Sequence, residues 1–191
     1  MHRSSIDKLV SWTGITIAAV LLVASIGLYW AHNYIHDQVR EQLVSQKVTF
    51  PAAGSEALNA LPQNDREQVA VYAGQELTTG AQAKVFANNY INVHLSNIAG
   101  GQTYSELSAA SMANPDDTAL AGKVATVFRG ETLRGLLLNA YAFDTVATIA
   151  LYGAYGTSIA CFILLVFAYL GLNHAKKVSP SSKSRTKTSK K

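Results

Sequence analysis

Leu9 to Trp30 reads "LVSWTGITIAAVLLVASIGLYW" and contains no charged residue. A hydrocarbon core of about 30 Å needs roughly 20 apolar residues to be crossed as a helix, so this stretch predicts a transmembrane span. The basic start (Arg3, Lys8) also suits a signal peptide, but the apolar run exceeds the roughly 7–15 residues of such a core. Ser25-Ile26-Gly27 offers a small-x-small site, yet the bulky Leu28-Tyr29-Trp30 follows at once. The reading is an uncleaved anchor.

A second uncharged run, Thr145 to Asn173, lies near the other end of the 191-residue chain. Two spans flanking one domain account for both runs. The expected order is a cytoplasmic N-terminus (1–8), a first span (9–31), an extracytoplasmic domain (32–144), a second span (145–173) and a basic, disordered cytoplasmic tail (174–191). The fold class is thus a mainly α membrane protein, with the second span continuing a long external helix. Charge sets the expected orientation. Arg3 and Lys8 flank the first span, and Lys176, Lys177, Lys183, Arg185, Lys187, Lys190 and Lys191 follow the second. The intervening domain has seven basic and eleven acidic residues. Basic flanks stay on the cytoplasmic side, which places both termini inside the cell membrane and the domain outside. The tail's cations predict contact with anionic lipid headgroups rather than nucleic acid. Cys161 is the lone cysteine, so the external domain contains no disulfide and needs its own core.

Between the spans the pattern is helical. Residues 32–47 extend the first helix, Val48 to Pro51 reads as a short extended piece, and 52–78 as loop with one short helix. Residues 80–99 form a helix capped by Thr79 and stopped by Gly100-Gly101. Its expected buried face is Ala83, Phe86, Ala87, Tyr90, Ile91, Leu95 and Ile98, with His94 in the middle. Thr103-Tyr104-Ser105-Glu106 has the form of a capping box. Asn114-Pro115-Asp116-Asp117 reads as a cap followed by proline in the first turn of a long helix. That helix has a stripe of Val124, Val127, Phe128, Glu131, Gly135, Leu138 and Ala142. An ionised glutamate in an apolar stripe needs a partner. Arg129, Glu131, Arg134 and His94 are therefore read as a structural polar cluster joining the two helices. In the spans, Gly14 with Ala18, Ala150 with Ala154, and Gly153 with Thr157 are spaced for close helix packing.

Asn88 to Leu107 ("NNYINVHLSNIAGGQTYSEL") and Val127 to Phe143 ("VFRGETLRGLLLNAYAF") resemble segments of a group of actinobacterial two-span membrane proteins. The resemblance implies the span–domain–span layout. Some of those proteins are labelled aromatic ring-opening dioxygenases, which implies non-haem iron, usually held by two histidines and a carboxylate. The external region offers His32, His36 and His94 as metal-ligand candidates, with Asp37, Glu41 or Glu131 as the carboxylate. His32 and His36 stand four apart on one helix face, but Asn33-Tyr34-Ile35 between them lacks the glutamate of HExxH. The residues are read instead as the exit from the membrane, with no metal and no catalytic set assigned. No GxGxxG, Walker or GxSxG motif points to a cofactor or nucleophile, and none is expected. The function expected is non-enzymatic: an accessory, assembly or scaffold subunit of a larger membrane complex, a respiratory one being one host. Its partners are other membrane subunits, with a second copy of the chain admitted. The alternative is a membrane-anchored metal-dependent enzyme or sensor using His32, His36, His94 and Glu131.

Overall fold

The computed structural model describes residues 3–178, which are mostly helical and contain no strand. The elements are α1 (Arg3–Ser45), α2 (Glu56–Asn59), α3 (Gln63–Ala70), α4 (Gly80–Val85), a π-helical segment (Phe86–Ile91), α5 (Asn92–Ala99), α6 (Tyr104–Ala113) and α7 (Thr118–Val178). Both α1 and α7 are long and apolar enough to cross a membrane. The chain divides into two compact units. One comprises Met1–Ala31 with Ile149–Lys191, the other His32–Thr148. The helix α7 continues through Val178, so the first residues of the basic tail are helical rather than disordered. The rest of that tail, residues 179–191, lies outside the described residues.

In the first unit the two long helices pack antiparallel. A Cβ added to Gly14 would lie 3.8 Å from Ala168 Cβ, and one on Gly153 would lie 3.2 Å from Leu28 Cδ1. Gly171 lies against Ser11, and Asp7 Oδ2 lies 3.0 Å from His174 Nδ1. The buried residues recur every seventh position: Ser11, Ala18 and Ser25 on α1, and Ala154, Cys161, Ala168 and Ala175 on α7. A seven-residue repeat keeps one stripe facing a partner only if the helices supercoil left-handedly. Small side chains on that stripe let the backbones approach closely. Ser25 Oγ fills the seam with polar contacts, donating to Ala154 O at 3.0 Å and meeting Ser158 Oγ at 2.6 Å. Gly27, by contrast, has nothing within 4 Å of a would-be Cβ and takes no part in the packing.

Large apolar side chains cover the outside of this pair, among them Leu9, Val23, Ile149 and Phe162. The exposed tryptophans and tyrosines of this pair lie near two levels, with Phe162 between them. Ser11 against Gly171 brings Trp12 level with Tyr169, and Leu28 against Gly153 brings Tyr29 and Trp30 level with Tyr152. Trp12 and Trp30 are 18 residues apart, about 27 Å along a helix at 1.5 Å per residue.

The second unit has a core of ordinary soluble type. Leu43, Phe50, Leu58, Leu61, Val69, Leu77, Phe86 and Leu137 are buried together, and Ala99, Leu107 and Val127 form a smaller cluster. Phe50 is central: its ring meets Phe86 edge-on at 5.1 Å and Tyr72 at 5.3 Å. Its backbone is held by an antiparallel bridge between Thr49 and Glu76, where Phe50 N donates to Gln75 O and Leu77 N to Val48 O. The segment 52–78 holds two short helices rather than one.

The 80–99 stretch is helical throughout, but its middle is a π segment. One extra residue in that turn rotates everything after it by about 100° relative to a straight α-helix. Ala83 is buried before it and Ala87 within it; Leu95 and Ala99, not His94 and Ile98, are buried after it. Leu95 then packs on Gly130 of α7, where an added Cβ would collide with Leu95 Cδ2. The ends of this stretch follow local chemistry. Thr79 and Gln82 form a reciprocal capping box, and Gly100 closes the helix in the left-handed region at φ 62°.

The long helix starts later than the sequence reading placed it. Asn114 terminates α6, its Nδ2 donating to Ala110 O, while Asp117 Oδ1 caps α7 by accepting from Leu120 N at 2.9 Å. The buried side of α7 also differs from the expected stripe. Val127 and Leu137 point inward, whereas Phe128, Gly135 and Ala142 are exposed. The expected stripe is made of two rows of seven-residue spacing: Val124, Glu131 and Leu138 are half-buried as expected, whereas the inward flank beside them is Gly130, Leu137 and Asp144 rather than Phe128, Gly135 and Ala142.

Candidate functional site

Helices α1 and α7 bring together the histidine pair of the second unit and one carboxylate. His32 and His36 stand one turn apart on α1, with ring centroids 5.8 Å apart and planes inclined by 23°. Each turns its Nδ1 toward α7. His32 Nδ1 lies 2.8 Å from the carbonyl oxygen of Ala147, and His36 Nδ1 lies 2.8 Å from Asp144 Oδ1. The Asp144 side chain is 17% exposed and that of His36 41%. Gly80, the first residue of α4, closes over Asp144: a Cβ there would collide with Asp144 Cβ. No side chain other than a hydrogen fits, so this glycine fixes how deeply the carboxylate is seated.

Of the four residues read as one polar cluster, Glu131 and Arg134 pair, while His94 and Arg129 do not join them. Arg134 Nη1 donates to Glu131 Oε2 at 3.1 Å, and its Nη2 to Asn88 Oδ1 at 3.4 Å. His94 Nδ1 instead lies 2.8 Å from Tyr90 O, one turn back on its own helix, with the Tyr90 ring 4.4 Å away. Arg129 is exposed and makes no ion pair among the described residues. The physical reason is the π segment, which turns His94 off the axis that would have aimed it at α7. Asn88 and Asn89 lie in that segment. Asn88 receives Arg134, and Asn89 Nδ2 donates to Asp65 Oδ1 at 2.8 Å, tying the segment to α3.

His94 and Glu131 therefore do not join His32 and His36. Among the described residues no group of three or more histidine, cysteine, aspartate or glutamate side chains is placed to hold a metal ion. Asp37 and Glu41 are exposed on α1. Elsewhere in the domain, Lys84 Nζ donates to the Tyr141 hydroxyl at 3.4 Å, which holds that phenol below its ordinary pKa. Glu106 is held below the usual carboxylate value chiefly by the backbone N–H of Thr103, the signature of the α6 capping box.

The six span residues read as packing positions divide by burial. Ala18 and Ala154 are fully buried, while Gly14, Ala150, Gly153 and Thr157 are half-buried at the seam's edge. Sequence reasoning missed Ser11, Ser25, Ala168 and Gly171, whose signal was the seven-residue recurrence of small residues rather than every-fourth spacing. It also missed Gln82, a buried side chain whose Oε1 accepts from both Thr78 and Thr79. The Thr79-x-x-Gln82 spacing carried that signal. Asp144 was missed because its partner His36 is remote in sequence. In the first unit a cleft of about 200 Å³ opens beside Asp7, Ser11, Gly14 and Gly171.

No protein-family model, no curated protein and no solved structure matches the chain.

Proposed function

We propose that this is a two-span protein of the cell membrane with both termini cytoplasmic, its domain extracytoplasmic, and a non-enzymatic role as an accessory or scaffold subunit of a larger membrane complex. The observation that carries the binding role is an exposed apolar row on α7 within the domain. Phe128, Leu136 and Phe143 are each more than half exposed, although the same domain buries Leu43, Phe50, Leu77 and Phe86 almost completely. An acidic, water-facing domain gains nothing from displaying such a row unless another surface covers it. The membrane setting is supported by the length of the two apolar helices, by the two aromatic levels about 27 Å apart, and by the Lys/Arg bias of both flanks. Resemblance to actinobacterial two-span proteins agrees with that layout. A complex of the respiratory chain is one host for such a subunit.

Native purification in mild detergent, with mass spectrometry of what accompanies the chain, tests this reading. Stoichiometric membrane-protein partners are expected. Replacing Phe128 and Phe143 with Ser should release those partners while the domain stays folded. A partner-free chain that keeps its own catalytic activity would overturn it.

A further inference from the structure

We propose that His32 and His36 form a two-histidine site for a divalent transition-metal ion of the zinc, nickel or copper type. Their hydrogen-bond partners fix the tautomers. A backbone carbonyl only accepts, so the His32 Nδ1 beside Ala147 O carries the proton. An ionised carboxylate also only accepts, so His36 Nδ1 carries the proton it gives to Asp144. In each neutral ring the lone pair then resides on Nε2. Both Nδ1 edges turn toward α7, so both Nε2 edges turn away from it. The two rings leave the same face of α1 one turn apart, with centroids 5.8 Å apart.

Two further features match what metal-binding histidines require. Such residues almost always donate the second ring N–H to a carboxylate or a backbone carbonyl, which fixes the ring and raises its basicity. Here one histidine has the carbonyl and the other the carboxylate. The carboxylate is itself held in place, because Gly80 leaves no room above it. The His36 side chain is 41% exposed, so an ion reaches the pair from solvent. Imidazole suits zinc, copper and nickel. Two protein ligands leave coordination positions for water or for a donor from another subunit. The site rests on geometry inside the His32–Thr148 unit and stands whether or not the chain is an accessory subunit.

The test uses the full chain purified in detergent and stripped with a chelator. Zinc is added, the protein is gel-filtered, and retained metal is measured. Stoichiometric zinc is expected. His32→Ala and His36→Ala should each weaken retention at least tenfold, Asp144→Asn should weaken it about 10–100-fold with both ligands present, and His94→Ala should leave it unchanged. A second measurement needs no variant: zinc should shield His32 and His36, but not His94, from diethylpyrocarbonate, read by peptide mass spectrometry. No retained zinc, retention that survives loss of both histidines, or labelling that zinc does not change would each overturn the site.

Discussion

The two units of this chain pack by opposite rules. Where α1 and α7 pair in the first unit, the buried residues are small: Ser11, Ala18, Ser25, Ala154, Cys161, Ala168 and Ala175. In the His32–Thr148 unit large side chains fill most of the core, among them Leu43, Phe50, Leu77, Phe86 and Leu137, with Ala83 and Ala87 between them. The large apolar residues of the first unit are on its outside. In water, burial of apolar area drives packing. In lipid the surroundings are already apolar, so close approach and interhelical hydrogen bonds decide instead. The inversion is what the proposed membrane setting requires. It also implies opposite sensitivities: the domain should suffer when a residue shrinks, the helix pair when one grows.

The largest expected effect is in the domain. Phe50 is 2% exposed and joins the rings of Tyr72 and Phe86. Phe50→Ala should cost about 3–5 kcal/mol, the usual range for emptying a buried aromatic site. Hydrogen-exchange mass spectrometry should show protection lost across residues 32–148 and retained in the two spans. Unchanged exchange in the domain would break the contrast at its stronger end.

Next comes the converse change. Gly153→Leu drives a side chain into Leu28, from which even a Cβ is only 3.2 Å away. Overpacking of this kind costs about 1–3 kcal/mol. A disulfide provides the readout. Gly14 and Ala168 would place two Cβ atoms 3.8 Å apart, about the mean separation in disulfides. With Cys161→Ala as background, Gly14→Cys with Ala168→Cys should close rapidly on mild oxidation, and adding Gly153→Leu should slow closure. Equal rates would mean the small-residue seam is incidental.

The sequence made some of this inversion legible and hid the rest for physical reasons. Local signals carried well: the uncharged runs, the Thr79 and Thr103 caps, and the Gly100 stop each depend on a few neighbouring residues. Registers carried poorly. Phe128, Gly135 and Ala142 recur every seventh residue just as the inward rows beside them do, so periodicity alone does not tell which flank of the stripe meets the domain. The π segment at Phe86–Ile91 has no composition of its own, and it took His94 and Ile98 out of the buried face while keeping Leu95 in it. In the candidate site, the i, i+4 histidine pair was visible. Asp144 and the Ala147 carbonyl, which orient it, were not, because only the folded antiparallel helices bring them within reach.

The smallest effect is the most discriminating. Ser25 is buried and spans the helix pair, donating to Ala154 O and meeting Ser158 Oγ. In a water-soluble core, leaving such partners unsatisfied costs about 1–3 kcal/mol. Between lipid-embedded helices, measured interhelical hydrogen bonds average about 0.6 kcal/mol because freed groups find other partners. Ser158 has one ready: its hydroxyl can return to the carbonyl of Ala154, four residues back on its own helix. Ser25→Ala also keeps the seam small. It should therefore slow closure of the 14–168 disulfide far less than Gly153→Leu does. If Ser25→Ala proved the more damaging of the two, polar pairing rather than close approach would hold the helices, and the seam would obey the rule of a buried network.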